Sequence, residues 1–110
     1  MKTQNNIKVL LENKDLRENA LFILDPGCDT DIRNCAQVGA SVLIPNLTMS
    51  AHLMAVTVIR ESKRLIATTL EMWESLQIAL AQYPQLAEQL EVVLFRGCKA
   101  EAEERVYSCA

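Results

Sequence analysis

Glycine and proline are scarce in this 110-residue chain, with three of each, and only 5% of the residues are aromatic. Sandwiches and barrels of short strands need frequent glycine and proline turns, so the composition argues against them. Half of the residues are hydrophobic, which is an ordinary level for a folded domain. The core must therefore be aliphatic, and the length predicts a single domain over residues 1–110.

Strong charge of one sign is also absent. The net charge is −3, from 14 acidic and 11 basic residues that are mixed along the chain. There is no basic arm or stripe, so binding to a nucleic-acid backbone is disfavoured. The one basic cluster, Arg60, Lys63 and Arg64, is a candidate contact for a partner, although a solvated helix surface is the commoner role of such a cluster.

Residues 35–59 contain no Asp, Glu, Lys or Arg. A membrane span needs about 20 apolar residues, but polar side chains and Pro45 interrupt this run and no aromatic belt flanks it. We therefore predict no membrane segment here. The first residues lack the apolar stretch of a secretory signal, so we expect a cytoplasmic protein whose four cysteines are free thiols.

The spacing of apolar residues predicts helices. From Asp29 to Leu43 they recur at steps of three and four, and the strongest periodicity runs from residue 46 to residue 82, where Tyr83-Pro84 ends it. A third helix is predicted to begin at Pro84, with Gly97 just past its end. We therefore predict an all-α bundle of about four or five helices with a long central helix, and a frayed tail at residues 98–110.

A second fold remains open. Unbroken, the central helix would be roughly 55 Å long, which exceeds a compact domain of this size. The β-branched run around Val56 to Ile59 offers a break. The alternative is therefore an α+β domain with short strands near residues 7–11, 21–24 and 53–59.

The acidic turn Asp25-Pro26-Gly27-Cys28-Asp29 follows the apolar run 21–24. It resembles the N-terminal DPGxD fingerprint of nucleoside hydrolases, which implies a strand that ends in acidic calcium ligands. The match is confined to this turn, those enzymes are larger α/β proteins, and Thr30 interrupts the aspartate doublet of the motif. A turn followed by a helix N-terminus accounts for the same acids without a metal.

Residues that would support catalysis are few. His52 is the single histidine, and it is expected to be a core or capping residue. The cysteines at 28, 35, 98 and 109 contain no CxxC pair, and no serine lies in a Gly-x-Ser-x-Gly context. We predict no cofactor, no metal site and no enzymatic activity.

The profile suggests a protein that works by contact: an adaptor, a subunit or an inhibitor that binds a protein partner through an apolar helical face. The predicted interface, anchored by Trp73, would also pair two copies as a homodimer. Its residues are Ile66, Leu70, Trp73, Leu76 and Leu80. Two alternatives remain, a small transcriptional regulator and a small enzyme whose site at an oligomer interface uses Asp25, Asp29, Asp31 or the cysteines.

Overall fold

The structure is a computed structural model, and it describes residues 3–4, 7–45, 50–61 and 64–97. Strands and helices alternate along this part of the chain. The strands are β1 (Thr3–Gln4), β2 (Ala20–Ile23), β3 (Ser41–Leu43), β4 (Leu65–Thr69) and β5 (Glu91–Phe95). The helices are α1 (Ile7–Leu11), α2 (Lys14–Asn19), α3 (Asp29–Gln37), α4 (Ala51–Glu61), α5 (Leu70–Leu80) and α6 (Pro84–Ala87).

The strands form one parallel sheet in the order β1-β5-β4-β2-β3. Ile23 of β2 pairs with Leu43 on one side and with Thr68 on the other, and Thr69 pairs with Phe95. The domain is therefore α/β. The predicted all-α bundle is wrong, and so is the α+β alternative, because helices connect successive parallel strands.

The strand order explains why helices cover both faces of the sheet. The chain moves across the sheet in one direction from β1 to β3, and then reverses to place β4 and β5 on the other side of β2. Parallel crossovers are almost always right-handed, so a reversal of direction moves the following helices to the opposite face. Helices α1 to α3 pack on one face and α4 to α6 on the other.

Alternate residues of the central strands enter two separate cores. Phe22 and Ala67 point to the core under α1 to α3, whereas Ile23 and Ile66 point to the core under α4 to α6. Burial on both faces explains why β2 and β4 are apolar or small at nearly every position. Each core is mostly aliphatic, as the composition predicted.

The long central helix does not exist, because a buried strand divides it. Helix α4 ends at Glu61, β4 occupies Leu65–Thr69, and α5 begins at Leu70. Thr69 ends the strand and caps the helix, with its hydroxyl accepting a hydrogen bond from the Met72 N–H at 3.4 Å. The apolar residues of β4 continue the spacing of α5 only by coincidence, since a strand buried on both faces shows no alternation.

Two other predicted helices each contain a helix followed by a strand. Helix α3 ends at Gln37, and Gly39 turns the chain with a φ of 72° before β3. Pro84 does begin a helix, as predicted, but α6 is one turn long and β5 follows it.

The short strands of the α+β alternative have mixed outcomes. The strand near residues 21–24 is confirmed as β2, whereas residues 7–11 form α1 and residues 53–59 lie within α4. Residues 98–110, predicted as a frayed tail, lie outside the described residues. Within the part of the chain that the structure describes, no helix has both the length and the apolar character to cross a bilayer.

Candidate functional site

The carboxyl edge of the sheet brings together several residues that the sequence singled out. After β2 the chain turns toward α3 on one face, and after the neighbouring β4 it turns toward α5 on the other face. Such a switch point is where open parallel sheets commonly bind ligands. Asp25 and Cys28 lie in the connection after β2, Thr68 and Thr69 end β4, and Gly97 follows β5.

The aspartates at this edge differ in their surroundings. Asp25 closes its own turn, since its Oδ1 accepts a hydrogen bond from the Gly27 N–H at 2.8 Å. Asp31 lies in the first turn of α3 and is only 4% exposed. A methyl group on Gly97 would lie 3.7 Å from Oδ2 of Asp31 and 3.3 Å from Cγ2 of Thr69, so glycine lets the chain after β5 pass close to both.

The cysteines correct one expectation. Cys28 is buried and disulfide-bonded, so the prediction of four free thiols is wrong. Cys35 is a free, fully buried thiol on α3. Burial raises its pKa to about 12, and the negative charge of Asp31 one turn earlier acts in the same direction. Cys98 and Cys109 lie outside the described residues.

The carboxyl edge therefore offers little chemistry. A thiol with so high a pKa is almost wholly protonated at neutral pH, and a disulfide-bonded sulfur is neither a metal ligand nor a nucleophile. Among the described residues, no group of three or more His, Cys, Asp or Glu side chains is placed to hold a metal ion. The strand implied by the resemblance to nucleoside hydrolases is present, but Asp25, Asp29 and Asp31 do not assemble into such a group.

His52 lies away from this edge. It is exposed in the first turn of α4, so it is not a core residue, and a ring nitrogen lies 3.3 Å from the Tyr83 hydroxyl. Ser50 precedes the helix, and its hydroxyl accepts a hydrogen bond from the Leu53 N–H at 3.1 Å. This contact satisfies one of the free N–H groups at the start of α4.

The residues predicted as an interface do not share one surface. Ile66 lies in β4 and is buried. Leu76 and Leu80 belong to α5, and their side chains are also buried. Leu70 is 43% exposed at the start of α5, and Trp73 is partly exposed on the same helix. Of these five residues, Leu70 and Trp73 are thus the most exposed.

The predicted basic cluster is also separated. Arg60 lies on α4, and Lys63 lies outside the described residues. Arg64 precedes β4 and forms an exposed ion pair with Glu91 at 3.1 Å. Of the two members of this cluster that the structure describes, Arg64 is thus paired with an acidic side chain.

The most distinctive surface lies on α5. Its most exposed residue was not among those predicted from the sequence. Ile78 is 73% exposed, the most exposed of the large hydrophobic residues in the described part of the chain. Beside it, α5, α6 and β5 enclose an apolar groove, which we call the α5–α6 groove. Its lining residues are Trp73, Gln77, Leu80, Ala81, Pro84, Ala87, Leu90 and Val92.

A signal for this surface was present in the sequence. Ile78 falls outside the apolar stripe that turns toward the core, and residues 65–95 contain no lysine or arginine. Because Leu76 and Leu80 of the predicted stripe are buried, the same spacing already placed Ile78 on the outer side of the helix.

No protein family, curated protein or solved structure matches this chain.

Proposed function

We propose that the protein is a non-enzymatic interaction module that binds another protein through the outer surface of α5 and the α5–α6 groove. The observation that carries this proposal is the 73% exposure of Ile78, on the same helix as Trp73, Gln77 and Leu80, which line an apolar groove. Burying an isoleucine side chain fully lowers the free energy by about 1.5–3 kcal/mol. Because Ile78 is mostly exposed, a partner that covers it would gain most of this free energy.

The surroundings of Ile78 extend the apolar surface. Leu70 lies two turns earlier on the same side of α5, and it is 43% exposed. Trp73 forms part of the groove wall, where a large, partly exposed ring offers the type of anchor that dominates many protein interfaces. Together these residues supply an aliphatic ridge next to a groove with an aromatic wall.

The carboxyl edge supports an enzyme less well. Cys35 has a raised pKa, and Cys28 is disulfide-bonded. The Asp25 carboxylate accepts a hydrogen bond within its own turn. A transcriptional regulator is likewise less well supported, because Arg64 is paired with Glu91 and residues 65–95 carry no basic side chain. These observations favour the interaction module over the two alternatives.

Pairing of two copies is a separate question. The argument for a homodimer started from one long helix with an apolar stripe too long to be covered within a chain. That stripe is now divided between β4 and α5, and Ile66, Leu76 and Leu80 are covered by the sheet and helices of the same chain. Self-association stays a prediction that light scattering can test, but it no longer follows from the helix geometry.

The test is capture of proteins from an extract of the native host on the immobilised full chain. Three baits are compared: the wild type, Ile78→Ser and the matched control Val9→Ser, which changes a 52% exposed residue on α1 across the sheet. We expect a protein that binds the wild type and Val9→Ser and is lost with Ile78→Ser. Circular dichroism of each bait checks the fold. If the wild type and Ile78→Ser capture the same proteins, the proposal is contradicted.

A further inference from the structure

The residues that line the α5–α6 groove all lie in a stretch of the chain whose charged side chains are acidic. Residues 65–95 contain Glu71, Glu74, Glu88 and Glu91 and no lysine or arginine. Glu91 is paired with Arg64, at the start of β4. Glu74 and Glu88 are exposed, and neither has an ion-pair partner among the residues that the structure describes. The groove is therefore an apolar surface whose walls are formed by segments that carry the exposed acidic residues Glu74 and Glu88.

The acidic and apolar groups are interleaved in space. Glu74 lies one turn after Leu70 and one turn before Ile78, so the three side chains follow one another along the outer side of α5. Glu88 directly follows α6, whose Pro84 and Ala87 form the opposite wall of the groove. A partner that covers Ile78 must therefore come close to at least one carboxylate.

We propose that the partner is a basic amphipathic segment: a helix whose apolar side chains enter the α5–α6 groove while flanking lysines or arginines meet Glu74 and Glu88. This inference rests on the proposed function and names its partner. An amphipathic helix suits the site because it fills a groove with residues at helical spacing. Opposite charges at the border of the groove increase the rate at which the two proteins associate, and they disfavour acidic competitors.

A second copy of the chain fits the same surface less well. Twofold pairing of α5 with itself would bring the Glu74 side chains of the two copies toward each other near the axis, and like charges repel. The surface is also small, because a helix of 11 residues is roughly 16 Å long. Stable interfaces between two folded proteins bury about 800 Å² on each partner, so this surface suits a short segment better than a second folded copy.

The experiment titrates the full chain with two synthetic peptides of about 15 residues that share the same leucine positions and lack tryptophan. One peptide carries lysine at its polar positions and the other carries glutamate. Trp73 is the single tryptophan of the chain and lines the groove, so its emission reports binding there. We expect the lysine peptide to shift this emission to shorter wavelength and to saturate, and the glutamate peptide to bind at least about tenfold more weakly.

Two variants and their matched controls locate the binding. Ile78→Ser should weaken binding of the lysine peptide by about tenfold or more, whereas Val9→Ser should leave it unchanged. Glu74→Lys should weaken binding about threefold to fivefold. Its control, Glu18→Lys on α2, makes the same charge change at an exposed position that belongs to the opposite helical layer, and it should have no comparable effect. Circular dichroism confirms that each variant is folded.

Several results would overturn the proposal. Equal affinity for the two peptides would show that charge does not select the partner, and equal losses in Glu74→Lys and Glu18→Lys would show only nonspecific attraction. A wild-type dimer in light scattering that dissociates in Ile78→Ser would assign the surface to a second copy. If host proteins bind in an Ile78-dependent way while the lysine peptide does not, the interaction module stands and the basic partner is wrong.

Discussion

Two substitutions on α5 test the placement of this helix against the sheet. Leu76 is fully buried and packs in the core that contains Ile23 and Ile66, whereas Ile78, two positions later, is 73% exposed. Replacing each residue by alanine removes a similar number of carbon atoms from the same helix. The structure predicts very different costs, since only Leu76 loses contacts with neighbours.

The magnitudes follow from burial. Truncating Leu76 removes the transfer free energy of three carbon atoms, roughly 0.8 kcal/mol each, and leaves a cavity, so Leu76→Ala should lower the free energy of unfolding by about 2.5–5 kcal/mol. Truncating Ile78 should cost less than about 0.5 kcal/mol. The small burial lost there is offset by the higher helix propensity of alanine, which is worth roughly 0.4 kcal/mol.

The assay is urea unfolding, followed by Trp73 fluorescence and by circular dichroism. With a urea dependence of about 2 kcal/mol per molar, the midpoint for Leu76→Ala should fall by about 1–2.5 M, while that for Ile78→Ala should stay near the wild type. Neither shift should depend on protein concentration, because Leu76 is covered within one chain. Equal shifts for the two variants, or a Leu76→Ala effect that fades at low concentration, would refute the described packing of α5.

Three further predictions concern other parts of the fold. Gly39→Ala should cost about 1 kcal/mol in thermal or urea unfolding, because Gly39 has a φ of 72°, and Gly39→Asn should cost less, since asparagine tolerates this region. Asn13→Ala should also cost about 1 kcal/mol, because its side chain accepts hydrogen bonds from the N–H groups of residues 15 and 16 at 2.9 and 3.3 Å; Asn13→Asp should retain most of the stability. Burial raises the pKa of Cys35 to about 12 from an ordinary value of 9.0, so its contribution to stability is present below pH 9.0 and is lost as pH rises toward 12. The difference in unfolding midpoint between the wild type and Cys35→Ala should change only in that window, and a constant difference would contradict the assignment.

Local signals in the sequence were sound where one residue decides the conformation. Pro84 begins α6 and Asp25-Pro26-Gly27 ends the run of β2, because proline and glycine restrict or release the backbone whatever surrounds them. These features depend on a few neighbouring atoms, so they can be predicted from the sequence.

Signals that depend on periodicity failed in the parallel strands. β4 is buried at all five positions, and β3 is only three residues long. Neither strand therefore shows the alternation of apolar and polar residues that is typical of a strand with one solvent-exposed face. Leu65 and Ile66 of β4 then extend the apolar pattern of α5 without a visible break. The same error placed Ile66 in a helical interface, because the helix boundaries decide which residues belong to the helix surface.

The sequence by itself determined that the core is aliphatic, where proline and glycine break the chain, and that no basic stripe exists, since these are properties of single residues and their near neighbours. Only the tertiary structure decided that the short apolar runs pair as parallel strands, because each strand gains its hydrogen bonds from residues distant in the chain. It also decided which apolar residues of α5 are covered. Leu76 packs against the sheet and Ile78 is exposed to solvent, because the sheet lies on one side of the helix. The position of the helix on the sheet is a property of the whole fold.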